Sequence, residues 1–446
     1  MSRPAMTRRI RRRTHAALLG GLAIGALACA SAEKRYKQGL EFEAQGRYPE
    51  AAFYYAEALR KEPGLEPARV RLRETGPTAI AELLRRAETA EAVGQADEAA
   101  GNFLRVDRLL RESAAVGVTL AAPEGYATRR RAAFDRAIAS ALDAGSAALA
   151  RGHFQNAVAA YARAGEHYEP GPAQRARLVQ ATFGAWLSWA EAEAASGHYR
   201  AAYARAEQAI LVPGIAGREV ARARQLQAAA LARGSRHVIA LPVDAADDAQ
   251  RRMPGDLVPA FDDELTLEYW TEPPLFIEML AGAEVRQALR RMGFGGRTLS
   301  SRDAAFVGRE LDADYVVLAE MDSAWSDERN VRRSRRAART RKGVDTTYTI
   351  EEGRRRLGVR VAFAVVDAHA RRPVDSGLLS ASHETAFRRA SFRGNPNDLD
   401  LSRSERDLFE RGPQAETERV LVEVIVDELA PRLAETVYGR LLRRID

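Results

Sequence analysis

Two short clusters of acidic and imidazole side chains could in principle support hydrolysis. Asp262, Asp263 and Glu264 are consecutive, and Asp367 and His369 would lie on one face of a strand, where side chains alternate. Acid–base or metal-assisted catalysis needs groups that converge on one point, and two ligands without a third do not define a zinc site. The sequence therefore predicts no catalytic residue, no metal and no cofactor. A hydrolase acting on glycan or peptide is the alternative.

A glycine-rich run, Gly293-Phe294-Gly295-Gly296-Arg297-Thr298, has the composition of a phosphate-binding loop. It lacks the Gly-Lys-Ser/Thr ending of such loops and follows a predicted helix, whereas a phosphate loop follows a strand. The run is therefore interpreted as a turn that ends a helix.

The segment from Arg329 to Lys342 contains eight basic residues and no acidic residue. Such a cluster can bind anionic lipid head groups, lipopolysaccharide or a polyanionic glycan, gaining about 1 kcal/mol for each charge close to an anionic surface. The alternative is a solvated, mobile loop between strands. Nucleic acid is not expected, because no aromatic side chains interleave with these arginines. The candidate anion-binding residues are Arg329, Arg332, Arg333, Arg335, Arg336, Arg339, Arg341 and Lys342.

The first 28 residues have the parts of a bacterial export signal. Arginines are concentrated between positions 8 and 13, and a 13-residue apolar stretch follows from Ala16 to Ala28. That stretch is too short to span a bilayer, which takes about 20 residues. The leader contains six of the 68 basic residues, which leaves 62 against 61 acidic ones, so the formal charge of +7 is almost entirely its own. A generally basic, nucleic-acid-binding protein is thereby excluded.

Cys29 is the only cysteine, and it follows the small residues of Ala26-Leu27-Ala28. This run resembles a bacterial lipobox, which implies lipidation of Cys29 and a linker at residues 29–32 behind a signal peptide at 1–28. Ala30, where Asp would be the other choice, resembles the sorting pattern of outer-membrane lipoproteins that face the periplasm. Cleavage by ordinary signal peptidase is the alternative, and it would give a soluble periplasmic or secreted protein.

Residues 33–233 are rich in Ala, Arg, Glu and Leu at helical spacing and contain internal repeats. Gly46-Arg47-Tyr48-Pro49-Glu50-Ala51, with the small residue Gly39 before it, resembles a tetratricopeptide repeat. Small residues allow two antiparallel helices to approach closely while aromatic side chains fill the gap between them. Similar runs recur with turn glycines at Gly94, Gly152 and Gly197.

The resemblance to tetratricopeptide repeats implies an all-α array that binds another protein rather than performing chemistry. The candidate partner-binding residues are its aromatic positions, Tyr48, Tyr55, Phe154, Tyr161 and Tyr199. A structural spacer that only holds the second domain away from the membrane is the alternative.

A second domain, residues 236–446, begins with the first β-type run, Val238 to Val243. The pattern predicts a helix over 274–292, strands near 297–299 and 315–319, and a half-buried strand ending at Asp367, with the basic insertion at 329–342 between the last two. A long amphipathic helix closes the chain. The expected fold class is therefore α + α/β: an all-α repeat array followed by a mixed sheet with helices on one side.

Four phrases of this domain carry a second resemblance: Val238 to Pro242, Leu289 to Phe294, Leu311 to Val317 and Val365 to Ala368. They resemble a superfamily of envelope lipoprotein domains that contains the periplasmic domain of the curli secretion protein CsgG, the penicillin-binding-protein activator LpoB and the N-terminal domain of TolB. The resemblance implies no catalytic residues and a role in scaffolding, in activating another enzyme or in assembly.

Together these features predict a non-enzymatic lipoprotein of the cell envelope. Its expected role is a protein-binding scaffold or accessory factor of a secretion, motility or wall-synthesis complex. The expected partners are other envelope proteins through the helical array, the membrane through Cys29, and anionic lipid or glycan at 329–342.

Overall fold

The computed structural model describes residues 21–251, 254–410 and 412–445, without the side chains of residues 21–31 and 412–415. Most of the predicted signal peptide, and the side chain of Cys29 with its predicted lipid, lie outside the described residues. Among the helices of the described part, none is both long and apolar enough to cross a membrane.

Contacts divide the chain into two compact units. The first extends to Trp189 and includes Ala209–Val220, and the second contains Ala190–Gln208 and Ala221–Asp446. This division differs from the boundary drawn from sequence at 233–236, because Ala190–Gln208 packs with the second unit. The ring of Tyr203 meets Phe276 edge-on with centroids 5.5 Å apart, and Arg200 donates to the carbonyl of Leu442.

The helical region consists of consecutive helices joined by turns of three to six residues, except for the ten-residue connection at 116–125. In α2, Pro49 occupies the first turn, where its missing N–H costs nothing, and Arg60 and Lys61 lie in the last turn, where cations favour the helix dipole. The helices are α1 Gly21–Ala44, α2 Tyr48–Lys61, α3 Glu66–Ala92, α4 Ala96–Ala115, α5 Tyr126–Ala150, α6 Phe154–His167, α7 Pro172–Ala195, α8 Tyr199–Ile210 and α9 Gly217–Gly234.

Glycines allow the closest helix–helix contacts of this region. A Cβ on Gly39 would overlap the ring of Tyr55, and a Cβ on Gly145 would overlap the ring of Tyr161. Both tyrosines are fully buried in the core of the helical region. The close approach expected at Gly39 is confirmed. The same pairing of a glycine with a tyrosine ring recurs at Gly145 and Tyr161, in α5 and α6.

The second region is a mixed sheet with the strand order β3-β1-β4-β5-β6. Strands β1, β3 and β4 are parallel, whereas β4, β5 and β6 are antiparallel neighbours. Its elements are β1 Arg236–Ala240, β2 Asp244–Ala245, α10 Asp247–Gln250, α11 Leu257–Glu264, a π-helical turn Leu265–Tyr269, β3 Ile277–Met279, α12 Gly282–Arg291, α13 Ser301–Glu310, β4 Tyr315–Thr340, β5 Asp345–Asp367, β6 Arg372–Ser391, β7 Leu399–Asp400, α14 Arg403–Asp407 and α15 Gly412–Leu442.

Helices cover both faces of this sheet, so the expectation of helices on one side is wrong. One face packs Val361 and Phe363 against α11 and α15, and the other packs Val316 and Val366 against α12 and α13. The consecutive buried pairs Val316-Val317 and Val365-Val366 show the reason, since a strand that is apolar on both faces needs cover on both.

The antiparallel strands are much longer than the sequence predicts. Strand β4 continues through the basic segment to Thr340 and pairs with β5 down to Arg339↔Asp345. Residues 329–339 are therefore strand and not a mobile loop, and only residues 341–344 form the turn. A β-bulge between Arg329 and Arg332 interrupts the pairing. The second half of this three-stranded extension, defined as residues 327–356 and 384–391, is called the β-arm below.

Two further predictions in this region are wrong. The predicted helix over 274–292 begins only at Gly282, because Ile277–Met279 pairs with β1 as strand β3. No strand forms over 297–299 in the described chain, where a loop leads from α12 to α13 instead. That loop ends at Ser300, which caps α13 in a capping box with Asp303.

Candidate functional site

The turn glycines predicted from the repeats all adopt the left-handed conformation that a tight helix–helix turn requires. Their φ angles are 72° at Gly46, 74° at Gly94, 74° at Gly152 and 83° at Gly197. A residue with a side chain is strained there, whereas glycine is not. The four turns were therefore located correctly from the sequence.

The five aromatic residues predicted to bind a partner do not have equivalent environments. Tyr55 and Tyr161 are buried core residues, so the prediction that they contact a partner is wrong. Their rings fill the space that Gly39 and Gly145 leave, and burial together with a hydrogen bond to Glu43 raises the pKa of Tyr55. A partner cannot reach either side chain.

The other three predicted aromatic residues, Tyr48, Phe154 and Tyr199, are half-buried. Tyr48 packs against the core of the helical region, and Tyr199 packs at the edge of the sheet core. Phe154 differs from both, because its ring belongs to an aromatic row that the repeat pattern did not reveal.

This aromatic row, defined as Phe154, Trp189 and Trp186, consists of three half-buried rings in near-parallel stacks. The centroids of Trp186 and Trp189 are 5.4 Å apart at 4°, and those of Phe154 and Trp189 are 6.2 Å apart at 11°. A depression of about 300 Å³ lies beside the row, lined by Trp189 and by residues 152–156. The signal for it in the sequence is the pair of tryptophans at i and i+3 in α7, which places both on one helix face.

A second half-buried aromatic group lies on the first hairpin. Phe42 and Tyr54 stack with centroids 5.1 Å apart, Arg47 lies 4.5 Å over Phe42, and Arg35 lies 5.6 Å over Tyr54. In the run Phe53-Tyr54-Tyr55 only Tyr55 is buried. The repeat pattern predicted Tyr55 as a contact residue and did not predict its more accessible neighbour Tyr54.

The β-arm contains the predicted anion-binding residues, and three of the eight are neutralised locally. Arg329 pairs with Asp327 at 2.6 Å, Arg333 with Glu351 at 2.7 Å and Arg339 with Asp345 at 3.0 Å. The remaining five are exposed and form no ion pair within the described residues: Arg332, Arg335, Arg336, Arg341 and Lys342.

A charged network connects the three strands near the base of the β-arm. Arg389 donates to Glu328 at 2.8 and 3.0 Å and to Glu351 at 2.8 Å, and Arg355 donates to Glu328 at 2.9 Å. Hydrogen bonds from Arg389 and then Arg333 hold the pKa of Glu351 below its ordinary value. The arrangement therefore joins β4, β5 and β6 through charged side chains.

The two clusters that could support hydrolysis have separate local partners. Asp262 accepts from the Val243 backbone N–H at 2.9 Å and lies 3.6 Å from Arg286, and burial raises its pKa. His369 lies 3.9 Å from Asp314, whereas Asp367 accepts from the Ala370 backbone N–H at 2.7 Å. Within the described residues no group of three or more His, Cys, Asp or Glu could hold a metal ion.

A cavity of about 910 Å³ opens beyond the carboxyl end of strand β1, between the sheet and the loop from α12 to α13. Its floor includes Ala362 and Ala364, and the glycine-rich run interpreted as a turn forms one wall. Crevices at the carboxyl ends of parallel strands are the usual ligand sites of open α/β sheets. This cavity, called the sheet-edge cavity below, is not among the sites predicted from the sequence.

Both regions were compared with known proteins. No family model matches this chain. A search of curated proteins likewise finds no match. Because fold alone does not define activity, the function has to be argued from the aromatic row, the β-arm and the leader.

Proposed function

We propose that this chain is a non-enzymatic lipoprotein of the bacterial cell envelope that binds another envelope protein as a scaffold or assembly factor. The observation that carries the proposal is the half-buried aromatic row Phe154, Trp189 and Trp186 beside a depression. Tryptophan, tyrosine and arginine dominate the binding energy of protein interfaces when they lie in or beside pockets. The leader and the lipobox-like run at Cys29 support the envelope location.

The helical hairpins support the same role. Four left-handed glycine turns and two glycine–tyrosine contacts resemble the design of tetratricopeptide repeats, whose known use is protein binding. The two clusters named for the hydrolase alternative do not support it, since Asp262 contacts the Val243 backbone whereas His369 lies beside Asp314.

Site-specific photo-crosslinking in intact cells tests the proposal. A photoreactive amino acid replaces Gln155, which lines the depression, and in a matched control it replaces the exposed Arg163 of the same helix. We expect one discrete adduct with an envelope protein from position 155, absent from position 163 and lost in Trp189→Ala. Equal adducts at both positions, or none, would contradict the proposal.

The spacer alternative needs its own experiment, because a spacer could also be cross-linked to proteins that lie near it by chance. Residues 33–189 are replaced by an unrelated helical segment of similar length behind the same leader, so that residues 190–208, which belong to the second compact unit, are kept. If the array only provides reach, function is restored; the scaffold proposal expects no restoration.

A second candidate function is favoured by the five exposed, unpaired basic side chains of the β-arm. We propose that they bind an anionic lipid or glycan surface. Flotation with vesicles containing an anionic phospholipid should recover the Cys29→Ala chain without its leader, which cannot carry the lipid, at low salt and release it at high salt, since exposed charges are screened. Substitution of Arg335, Arg336 and Arg341 by Gln should abolish recovery, and unchanged flotation would refute the role.

A further inference from the structure

We propose that the sheet-edge cavity binds a short peptide with free termini, a zwitterion whose ammonium group meets Asp244 and Glu320 and whose carboxylate meets Arg290 and Arg297. This inference concerns a small ligand of the second region and does not depend on the protein-binding role of the helical region. Three features of the cavity lead to it: an apolar floor, an acidic end and a basic end.

The floor exists because the central strand has small side chains where its neighbours have large ones. Ala362 and Ala364 of β5 face the cavity, while Leu318 pairs across from Ala364 and Leu378 pairs across from Ala362. The intervening Phe363 points to the opposite face, into the core under α15. The two alanines, with the side chain of Leu318 beside them, leave a trough that an extended, mostly apolar ligand can occupy.

The acidic end contains two carboxylates on paired strands. Asp244 and Glu320 are register partners of β2 and β4, so their side chains are neighbours on the sheet. Asp244 Oδ1 accepts from the Ala245 backbone N–H at 2.8 Å, but its Oδ2 is buried without a hydrogen-bond partner in the described chain. A buried carboxylate oxygen without a donor is costly, and an ammonium group would supply the missing donor.

Glu320 is surrounded by further negative charges at this end of the cavity. Its pKa is raised by burial first, and then by the negative charges of Asp244 and Asp322. An incoming ammonium group would lower the pKa of Glu320 again, because it would pair with both carboxylates at once.

The basic end lies on α12 and the glycine-rich loop. Arg290 and Arg297 line the cavity, are exposed, and form no ion pair within the described residues. Arg297 lies 5.7 Å over the ring of Phe294, which holds its planar group at the cavity wall. Arg286, the third arginine of the lining, is already engaged by Asp262 at 3.6 Å. Guanidinium groups bind carboxylates in two-point geometry.

Only a ligand with both charges satisfies both ends. A simple anion would leave Asp244 and Glu320 without a donor and add a negative charge to the same cavity. A simple cation would face Arg290 and Arg297 across the floor. A peptide carries an ammonium and a carboxylate separated by about 3.3 to 3.6 Å of extended chain per residue, so peptide length can be matched to the trough.

The test uses alanine peptides of two to five residues and isothermal titration calorimetry with the mature full-length chain. Each peptide is compared with its N-acetylated form, which lacks the cation, and its C-terminal amide, which lacks the anion. We expect saturable one-to-one binding at one preferred length, and at least tenfold weaker binding of either capped form. Equal affinity for the free and capped forms would overturn the proposal.

Charge variants assign the two ends. Glu320→Gln should reduce the affinity of the free peptide to that of its acetylated form, while the loss caused by amidation is kept. The double substitution of Arg290 and Arg297 by Gln should have the opposite pattern. Arg291→Gln, an exposed neighbour on α12 outside the cavity lining, should change neither affinity.

A filled cavity separates specific binding from adhesion to the surface. Ala362→Phe places a ring over the floor, and an unchanged far-ultraviolet circular dichroism spectrum and melting temperature would verify that the variant folds. Binding should be lost in this variant, and binding that survives would overturn the proposal. Binding of Ca²⁺ alone that is abolished by Glu320→Gln and competes with the peptide would also overturn it, since the acids would then be a cation site.

Discussion

At the scale of single residues, two glycines determine how closely the helices of the first region pack. Gly39 and Gly145 occupy equivalent places opposite Tyr55 and Tyr161, and an added methyl group would overlap each ring. These positions could be predicted because the pairing of a small residue with an aromatic one depends on residue types, which the sequence gives directly. The sequence could not show that the tyrosines are fully enclosed, since the same pattern fits an exposed aromatic ladder.

Replacement of Gly145 by Ala is expected to destabilise the mature chain by about 1–3 kcal/mol, because the new Cβ must displace the Tyr161 ring in a packed core. Gly165→Ala in α6 is the matched control. It meets nothing within 4 Å, and it should stabilise by about 0.5–1 kcal/mol because alanine favours a helix. Urea unfolding followed by helical circular dichroism measures both. Equal effects would disprove the close approach.

Glu351 should contribute to the acid sensitivity of the β-arm. Its folded pKa lies below the ordinary value of 4.5 because Arg389 and Arg333 hydrogen-bond its ionised form. Its contribution is therefore present above pH 4.5 and is lost as the pH falls through the folded pKa. Between pH 5 and pH 3, Glu351→Gln should lose less stability than the parent, as measured by thermal unfolding. The exposed Glu410→Gln should behave like the parent.

At the scale of elements, the sequence predicted correctly those elements that depend on the residue types of a short segment. Turn glycines and the parallel strand at Val238 follow from conformational freedom and apolar runs. The long strands were missed because beyond Trp325 they lack alternating apolar residues, and a separate chain segment covers one face instead: Leu399, Leu401 and Phe409 pack on Tyr348 and Ile350. The sheet-edge cavity was missed because Asp244, Arg290 and Glu320 are brought together only by the topology.

On the side opposite β5, strand β4 has a free edge over much of the β-arm, because no strand of the described chain pairs with residues 322–338 there. Its arginines prevent edge-to-edge association, because bringing two such edges together would place like charges in contact. Substitution of Arg332, Arg335 and Arg336 by Thr should therefore produce concentration-dependent association in analytical ultracentrifugation.

A matched control for the edge removes the same charge elsewhere. Arg291, Arg302 and Arg393 are exposed and lie outside the strands. Their combined replacement by Gln should leave the sedimentation coefficient unchanged. Association of both triple variants would attribute the effect to net charge rather than to the strand edge.

At the scale of the whole molecule, the predicted leader is basic, whereas the remainder of the chain is nearly neutral. Six arginines belong to the first 28 residues, and the rest of the chain is close to neutral. Lipidation at Cys29 would therefore anchor a nearly neutral protein, in which the β-arm is a local exception.

Cys29→Ala is expected to move the protein from the membrane fraction to the soluble periplasmic fraction, because the acyl chains would be its anchor. Ser31→Ala, two residues away, is the control and should stay with the membrane. Fractionation followed by immunoblotting distinguishes the two. A Cys29→Ala protein that remains membrane-bound would refute the lipid anchor.

The length of strand β4 has a consequence for how the two proposed anion- and peptide-binding sites of the second region communicate. Glu320 and Arg339 belong to one strand and are 19 residues apart, which at about 3.3 Å per residue amounts to roughly 60 Å. The Debye length at physiological ionic strength is about 8 Å. The charges at the Arg339 end of β4 are therefore screened from the cavity by the salt of the solution. Neutralising the tip would leave the affinity of the cavity for a charged ligand unchanged, and the two ends of this one strand can be altered independently.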